Sequence, residues 1–214
     1  MKIFKERSFF ITLLLPILFI LIAVETLCTT EYVMFSKGKY AEHELITFDY
    51  DHVADRIMGY LNYKYDEMEL EYPDYLVEVK ELEERHMKDV LNIFTAIRIV
   101  GVISYILVTL NLFFLVRNNK KKIFESLKWL FIWPTALILF VGIFAVIDFD
   151  LLFTLFHKLF FNNDDWLFPM ESMIIQVVPL NFWLMCVVII LSFLALMLVA
   201  CNVLGNYKLK KYLK

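Results

Sequence analysis

The sequence has few of the residues on which common soluble-enzyme motifs depend. Among its 214 residues there are only 5 Gly, 5 Pro, 3 Cys and 4 His. It contains no GxSxG nucleophile elbow, no HExxH zinc helix, no HxxxxD pair, no CxxC motif and no Gly-rich phosphate loop. These absences argue against an enzyme that takes a group from a nucleotide or from a soluble thioester. We also predict that no cofactor is bound.

The three cysteines do not predict a disulfide framework. Cys28, Cys186 and Cys201 lie within or at the ends of long apolar runs, where packing is their expected role. A covalent catalytic route through Cys28 or Cys186, with a histidine as the partner base, stays open as an alternative.

The composition that is present indicates a membrane protein. Hydrophobic residues make up 60% of the chain and aromatic residues 17%, far more than in an ordinary soluble domain. A transmembrane helix needs about 20 apolar residues. We therefore predict an all-α polytopic membrane protein in which residues 1–214 form one membrane domain. Its four transmembrane helices are predicted at about 8–28, 94–116, 127–147 and 181–204.

The basic residues predict the orientation of these helices, because short cytoplasmic loops carry the excess of Lys and Arg. By our count, 12 of the 21 basic residues precede the first run, surround the loop between the second and third, or follow the fourth. Both termini are therefore predicted to be cytoplasmic, and 29–93 and 148–180 extracytoplasmic. The 12 residues are Lys2, Lys5, Arg7, Arg117, Lys120, Lys121, Lys122, Lys128, Lys208, Lys210, Lys211 and Lys214.

The predicted extracytoplasmic segment 29–93 is acidic. It has 16 acids against 7 basic residues, so the net charge of -3 conceals two unlike faces. An acidic exterior argues against nucleic acid as a partner, because binding phosphates requires a basic patch.

The first apolar run begins like a secretory signal peptide, with the basic stretch MKIFKER before it. Its end differs, because ETLC at 25–28 lacks the small residues of a cleavage site. We therefore predict a retained membrane anchor.

Periodicity predicts two helices within 29–93, which form a small extracytoplasmic cap. In the first, apolar residues recur at helical spacing after Asp49 or Asp51, either of which is placed to cap its start. The second runs from about residue 74 to Gly101 without an intervening Gly or Pro. It is predicted to continue directly into the second transmembrane run.

His86 lies on the apolar stripe of this second helix. At 100° per residue, Asp89 falls at the edge of the stripe, and Glu84, Arg85 and Lys88 point away. A histidine on such a face usually packs and finds one hydrogen bond, so packing is the competing interpretation. The residues of the stripe are Val79, Leu82, His86, Val90, Ile93 and Ile97.

A second histidine, His157, follows the third run. Seven aromatic residues lie from Phe149 to Phe168 in a segment with polar ends, which indicates an interfacial helix. Asp150 and His157 lie within about 60° of each other on such a helix, so Asp150 is placed to orient the imidazole. An aromatic belt at the bilayer surface explains the Phe and Trp residues but not a histidine among them.

Two charged residues are predicted about one turn inside the apolar runs, on the extracytoplasmic side. These are Glu25 at the end of the first run and Arg98 at the start of the second. Intramembrane charges are costly and indicate a functional site by default. Pairing of Glu25 with Arg98, snorkelling of each to the interface, and steering of a lipid carbonyl by Arg98 all stay open.

Two motifs carry a resemblance to a known family. EERHMKDVLNIF at 83–94 is one, and FDLLFTLFHKLFFNNDDWLF at 149–168 with IIQVVPLNFW at 174–183 is the other. They resemble the signature stretches of the lipoprotein intramolecular transacylase family, which comprises small bacterial four-span membrane proteins. The likeness extends to the span pattern and to GYLNYKY at 59–65, and so covers nearly the whole chain.

The resemblance implies an acyltransferase of the bacterial plasma membrane whose site lies at the extracytoplasmic face. Its reaction moves the sn-2 acyl chain of a lipoprotein's S-diacylglyceryl cysteine to the α-amino group of the same cysteine. The product is an N-acyl, S-monoacylglyceryl (lyso-form) lipoprotein. The implied partners are therefore diacylated lipoproteins and membrane lipid, and the sequence gives no indication of the oligomeric state.

The resemblance also assigns roles to the two histidines, which match the histidines of the two motifs. We predict that His157 is the general base and that His86 donates to the oxyanion or shares the proton relay. Asp89 or Glu83 is predicted to orient His86, and the two histidines could exchange roles. An aromatic acyl slot is predicted around His157, lined by Phe153, Phe156, Phe160, Phe161 and Trp166.

Two further interpretations compete with this one. A non-catalytic partner subunit or lipid-binding scaffold, in which both histidines only pack, fits the composition and the topology equally well. A metal site from His86, His157 and an acid has suitable residue types, but no metal-ligand spacing supports it, and we predict none.

Overall fold

Every regular element of the chain is helical in the residues that the structure describes. The structure is a computed structural model that describes residues 8–37 and 48–212. No strand occurs in these ranges, which confirms the all-α prediction. A 3-10 turn, Asp74–Leu76, precedes α4. The α-helices are α1 (Ser8–Leu27), α2 (Thr30–Ser36), α3 (Tyr50–Leu61), α4 (Val77–Asn118), α5 (Lys120–Trp129), α6 (Ile132–Ile147), α7 (Phe149–Phe160), α8 (Met173–Val177) and α9 (Leu180–Tyr212).

Four helical segments are long and apolar enough to cross a membrane. They are Phe9–Leu27, Asp74–Asn118, Lys120–Ile147 and Leu180–Tyr212. The prediction of a polytopic helical membrane protein is therefore confirmed. The orientation of the segments stays a prediction, and the basic residues before residue 8 lie outside the described part of the chain.

The predicted continuation of the outer helix into the second span is also confirmed. α4 is one helix of 42 residues, about 63 Å long, which is twice the thickness of a hydrocarbon core of about 30 Å. Eight charged residues occur in its first part, 77–93, and only Arg98 in the apolar run 94–116. The first part is too strongly charged for the hydrocarbon core.

The third span differs from the prediction of one helix over 127–147. A short amphipathic helix, α5, ends at Trp129, and α6 begins only at Ile132 after a turn at Leu130 and Phe131. Pro134 explains this new start, because a proline has no N–H to donate and is tolerated only in the first turn of a helix.

The chain divides into two compact units. The first unit takes in the described parts of Met1–Ala23, Ile97–Ile143 and Val188–Lys214. The second unit takes in the described parts of Val24–Ala96 and Phe144–Val187.

The core of the first unit is aliphatic. Its buried members are Ile11, Leu115, Leu130, Leu194 and Leu198. The last turns of α9 also lie directly against α5, because a Cβ on Gly205 would meet backbone atoms of Lys128 and Phe124 at 2.8 Å. Glycine is therefore required at this position for the close approach of the two helices.

A hydrogen bond between α1 and α6 compensates for a proline inside α1. Pro16 has no N–H, so the carbonyl of Thr12, four residues earlier, lacks its helical donor. The indole Nε1 of Trp133 donates to that carbonyl at 2.9 Å. In lipid, a neighbouring helix is one of the partners that can satisfy a backbone carbonyl freed by proline.

The second unit is built around α3, whose predicted cap is confirmed. The Asp49 carboxylate accepts from the backbone N–H groups of Asp51 and His52 at the start of α3. Long-range bonds then fix this helix, because Tyr50 Oη donates to the Val177 carbonyl at 3.0 Å and Asn62 Nδ2 to the Cys28 carbonyl at 2.9 Å.

We predict that Trp133→Phe lowers the thermal stability of the protein, because the Thr12 carbonyl then loses its donor. Loss of a hydrogen bond to a partly buried carbonyl costs about 0.5–1.5 kcal/mol. The effect should shrink in a Pro16→Ala background, in which the introduced alanine restores the helical N–H. Thermal unfolding of the detergent-purified variants measures both effects.

Trp129→Phe is the matched control for this prediction. Trp129 is 53% exposed, so its replacement should leave the melting temperature nearly unchanged. Equal losses for Trp133→Phe with and without Pro16 would contradict the assignment.

Candidate active site

The charged first part of α4 buries two ionisable side chains. Glu83 is 0% exposed and His86 is 5% exposed, whereas Glu84, Arg85 and Lys88 are exposed as predicted. Met87 is also buried, so the buried face is turned by about one residue from the predicted stripe. The prediction placed His86 on this face but omitted Glu83, because a carboxylate is not expected at an apolar position.

His157 lies on α7, a helix in the segment where an interfacial helix was predicted. The Asp148 side chain caps its start by accepting from Leu151 N at 2.9 Å. Leu159 and Phe160 are exposed on this helix, but His157 is only 7% exposed. His157 Nδ1 lies 2.7 Å from the Phe153 carbonyl. Because a carbonyl only accepts, Nδ1 carries the proton, and the Nε2 lone pair is left as an acceptor.

The structure brings the two histidines together. Their ring centroids are 5.8 Å apart with an interplanar angle of 27°, in a stacked arrangement. Aromatic rings surround the pair. Between ring centroids, Phe161 lies 4.9 Å from His86 and 5.5 Å from His157. Phe168 lies 5.2 Å from His86. Trp166 and Phe153 lie 4.8 Å and 4.1 Å from His157.

Burial keeps both imidazoles neutral. Desolvation, with a smaller contribution from the nearby His157, lowers the pKa of His86 to about 4, although Asp89 and Asp165 oppose the shift. Desolvation also lowers the pKa of His157, and the Phe153 carbonyl opposes it. The site at neutral pH therefore contains two uncharged rings, each with one N–H and one lone pair.

One ring nitrogen of this pair has no partner. His86 Nδ1 is fully buried and makes no hydrogen bond to any residue in the described ranges. An unsatisfied buried polar atom is costly, and a packing histidine would be expected to find a partner. This atom is therefore available to a group that enters the site.

Two polar contacts connect α4 to the loop that follows α7. Asn163 Nδ2 donates to Asp89 Oδ2 at 2.9 Å, and Arg85 Nε donates to Asp165 Oδ2 at 3.1 Å. A hydrogen bond within the loop stabilises it further, because Trp166 Nε1 donates to the Asn163 carbonyl at 3.2 Å. These contacts keep the Trp166 ring beside the histidines.

A buried network holds the segment after this loop. The Glu83 carboxylate accepts from Ser172 Oγ, Tyr72 Oη and the backbone N–H of Ile174, the last at 3.2 Å. Burial raises the pKa of Glu83, against the effect of the three donors, and burial also raises the pKa of Tyr72. Glu83 was predicted to orient His86, but its described hydrogen bonds go to Tyr72 and the 172–174 segment instead.

The other predicted site residues lie at different places. Asp150, which was predicted to orient the His157 imidazole, is exposed on the first turn of α7, and His157 Nδ1 donates to the Phe153 carbonyl instead. Phe156 and Phe160 are half-exposed and contact each other at 4.7 Å between ring centroids. Arg98 lies about three turns beyond His86 on α4 and belongs to the first unit, so its predicted role stays a prediction.

Sequence reasoning missed three residues of the site. Phe168 was counted among the aromatic residues but not assigned to the histidines, and Tyr72 gave no signal. Ser172 directly precedes a short apolar run and caps α8 by accepting from Ile175 N, a pattern that is visible in the sequence.

Two alternatives from the sequence concern other chemistry, namely a covalent route through a cysteine and a metal site. Cys28 and Cys186 are buried free thiols. Across residues 8–37 and 48–212, no three His, Cys, Asp or Glu side chains are grouped closely enough to hold a metal ion.

The fold and the site together define a helical, multi-span membrane protein with a desolvated histidine pair. The model of the family described as "Lipoprotein intramolecular transacylase Lit" matches residues 7–183. The chain therefore belongs to this family of acyltransferases.

Similar proteins come from two organisms. A protein of Aquifex aeolicus (strain VF5), described only as uncharacterized, is 34% identical over 94 residues, which span 42% of this chain and 42% of that protein. The chain also resembles the in meso structure of the membrane-integral Lit from Bacillus cereus. The TM-score is 0.69 at 24% identity, with 97% of each chain covered, which shows the same fold.

Two variant structures of the Bacillus cereus protein are similar as well. One carries a histidine-to-arginine substitution and gives a TM-score of 0.64 at 25% identity, over 97% of this chain and 93% of that chain. The other carries a histidine-to-alanine substitution and gives a TM-score of 0.65 at 24% identity, over 97% and 95%.

We predict that Glu83→Gln destabilises the protein by about 1–3 kcal/mol. The amide NH2 of the glutamine, which is a donor, would replace a carboxylate oxygen that accepts from another donor. Thermal unfolding in detergent measures the loss. Glu84→Gln is the matched control, since Glu84 is exposed and its contact with Lys80, at 3.8 Å, is worth little. Equal melting temperatures for the two variants would contradict the network.

We also predict that both histidines of the pair titrate below pH 6.5, the ordinary pKa of histidine, and that His86 titrates near pH 4. NMR titration of histidine-labelled protein, assigned with His86→Gln and His157→Gln, measures both values. Between pH 6.5 and about 4 the folded chain binds fewer protons at His86 than the unfolded chain, so its stability falls as the pH falls. A pKa of His86 at or above 6.5 would refute the burial argument.

Proposed function

We propose that this protein is a lipoprotein intramolecular transacylase. It moves the sn-2 acyl chain of an S-diacylglyceryl cysteine to the α-amino group of the same cysteine. The observation that supports this most directly is the buried, neutral histidine pair with an unpartnered Nδ1, in a chain that belongs to the Lit family.

An intramolecular reaction reduces what the protein has to supply. The ester and the amine belong to one lipidated residue, and oriented groups of this kind reach effective molarities of about 10⁵ to 10⁸ M. Much of the catalysis is then the positioning of the two groups. What remains is a proton acceptor for the amine and a donor for the tetrahedral oxyanion.

His157 is suited to be the proton acceptor. Its Nδ1 donates to the Phe153 carbonyl, which leaves the Nε2 lone pair for the attacking amine. As the amine nitrogen bonds to the ester carbonyl carbon, one N–H proton passes to Nε2. The carbon–oxygen bond to glycerol then breaks, and the leaving oxygen takes this proton. An amide and a free glycerol hydroxyl result, so atoms and charges balance.

His86 is suited to stabilise the oxyanion. The lowered pKa keeps its ring neutral, with one N–H to donate, and Nδ1 is not occupied by another residue in the described ranges. A buried donor aimed at developing negative charge is worth far more than the same donor in water. Exchange of roles between the two histidines stays compatible with their separation.

The aromatic residues provide a slot for the acyl chain. Phe153, Phe161 and Trp166 contact the histidines, and the exposed faces of Phe156 and Phe160 on α7 suit lipid chains. The acidic segment 29–93, contrasted with the basic loop and C-terminus, supports an extracytoplasmic site in the bacterial plasma membrane.

We predict that His86→Ala and His157→Ala each reduce acyl transfer by about 10²- to 10⁴-fold, the usual contribution of a general acid or base. Mass spectrometry of the N-terminal peptide of a lipoprotein measures the transfer. The host is a bacterium without this activity that carries the wild-type chain, one of the variants or no added chain.

His52→Ala is the matched control, because His52 is exposed on α3, and equal membrane levels of all variants have to be confirmed. A wild-type chain that moves no acyl group would support the non-catalytic scaffold or partner subunit. Full activity in either variant would show that its histidine only packs. Transfer that depends on Cys28 or Cys186 would indicate the covalent route.

A further inference from the structure

The Asp89 carboxylate lies beside the histidine pair without a cationic partner in the described residues. Its one described hydrogen bond comes from the neutral amide of Asn163, at 2.9 Å. Asp165, the other acid near His86, differs, because Arg85 neutralises it at 3.1 Å. A hydrogen bond therefore fixes the position of the Asp89 carboxylate, but no positive side chain in the described residues neutralises its charge.

Two observations place this charge at the site. Asp89 follows His86 by three residues on α4, so the two Cβ atoms are about 5–6 Å apart. Its partner Asn163 accepts, through the backbone carbonyl, from the indole of Trp166, whose ring lies 4.8 Å from His157. Asp89 therefore lies at the rim of the histidine pair.

An independent observation indicates that a polar ligand group binds here. His86 Nδ1 is buried and has no hydrogen-bond partner in the described ranges, although His86 is only 5% exposed. Two groups one helical turn apart therefore lack a partner in the described residues. They are the Asp89 carboxylate, which has no counter-charge, and the Nδ1 atom of His86. A ligand satisfies both if it brings a positive charge to the carboxylate and a hydrogen-bonding group to the imidazole nitrogen.

We propose that Asp89 binds the α-ammonium group of the substrate cysteine and so selects a lipoprotein with a free amino terminus. This inference rests on the proposed function. With a reference pKa of about 7.7–8.0, an α-amino group reaches the site largely protonated. A carboxylate attracts this form, and the ammonium releases its extra proton to solvent before the neutral amine attacks and passes a second proton to His157 Nε2.

The Asn163 amide explains how the carboxylate is held without being neutralised. A lysine or arginine in its place would compete with the substrate for Asp89. Asp89→Asn removes the charge but keeps an oxygen that accepts from Asn163, so the loop is expected to stay in place. The variant therefore tests the charge rather than the loop contact.

The experiment measures binding of two non-reactive lipopeptides to the purified full-length protein in detergent at pH 6.5. Both are short peptides that begin with an S-glyceryl cysteine carrying two ether-linked alkyl chains, which cannot be transferred. One has a free α-amine, and the other has hydrogen in its place. We expect the wild type to bind the amine about tenfold more tightly, and Asp89→Asn to bind both equally.

Asp164→Asn is the matched control, because it removes an exposed carboxylate from the same loop and should keep the wild-type preference. A preference for the amine that survives in Asp89→Asn, or that is absent from the wild type, overturns the proposal. Incubation of the wild type with the ester-linked lipopeptide separates the two hypotheses. If the wild type transfers the acyl chain but Asp89→Asn keeps the wild-type preference for the amine, only the role of Asp89 is rejected. If the wild type transfers no acyl chain, the proposed function itself is rejected.

Discussion

The rest of this site depends on one constraint, which is the burial of two imidazole rings away from water. In water each ring would be protonated near its ordinary pKa, and two cations at this separation would repel each other. Aromatic side chains exclude water on several sides, and the proximity of His157 further opposes protonation of His86. A neutral pair can take a proton from one group and return it to another, which a charged pair cannot do.

Two kinds of contact maintain this desolvation, and they differ in strength. Behind the pair, the fully buried Glu83 binds Tyr72, Ser172 and a backbone amide, and the loss of any of these partners leaves a buried polar group unsatisfied. At the rim, the exposed pair of Arg85 and Asp165 contributes little, as solvent-exposed ion pairs generally do. Breaking the rim contact therefore costs less free energy than breaking the buried network around Glu83.

Local patterns accounted for the helices but not for the contacts between distant segments. α4 was predictable because no Gly or Pro interrupts it before Gly101, and the Asp49 cap was predictable because aspartate is a common N-cap residue. Glu83 was not predictable as a buried residue, since its partner Ser172 lies 89 residues away. The break at Leu130 and Phe131 was missed because hydrophobicity continues through it, although Pro134 was a visible signal.

The resemblance of two motifs pointed to His86 and His157, and the structure supplied what the motifs lacked. A periodicity argument places each histidine on a face of its own helix, but it carries no distance across a separation of 71 residues. The stacking, the free Nε2 of His157 and the unpartnered Nδ1 of His86 are properties of the assembled unit.

The bond from Trp133 to the Thr12 carbonyl has a consequence for how the chain is made. The ribosome produces Thr12 and Pro16 early, but Trp133 follows Thr12 by 121 residues. At about 5–20 residues per second, this is a delay of roughly 6–24 s. During that time the first helix, once delivered to the bilayer, lacks the Trp133 donor for its Thr12 carbonyl. This contact between the two helices therefore forms only after the third hydrophobic segment leaves the insertion machinery and packs beside the first.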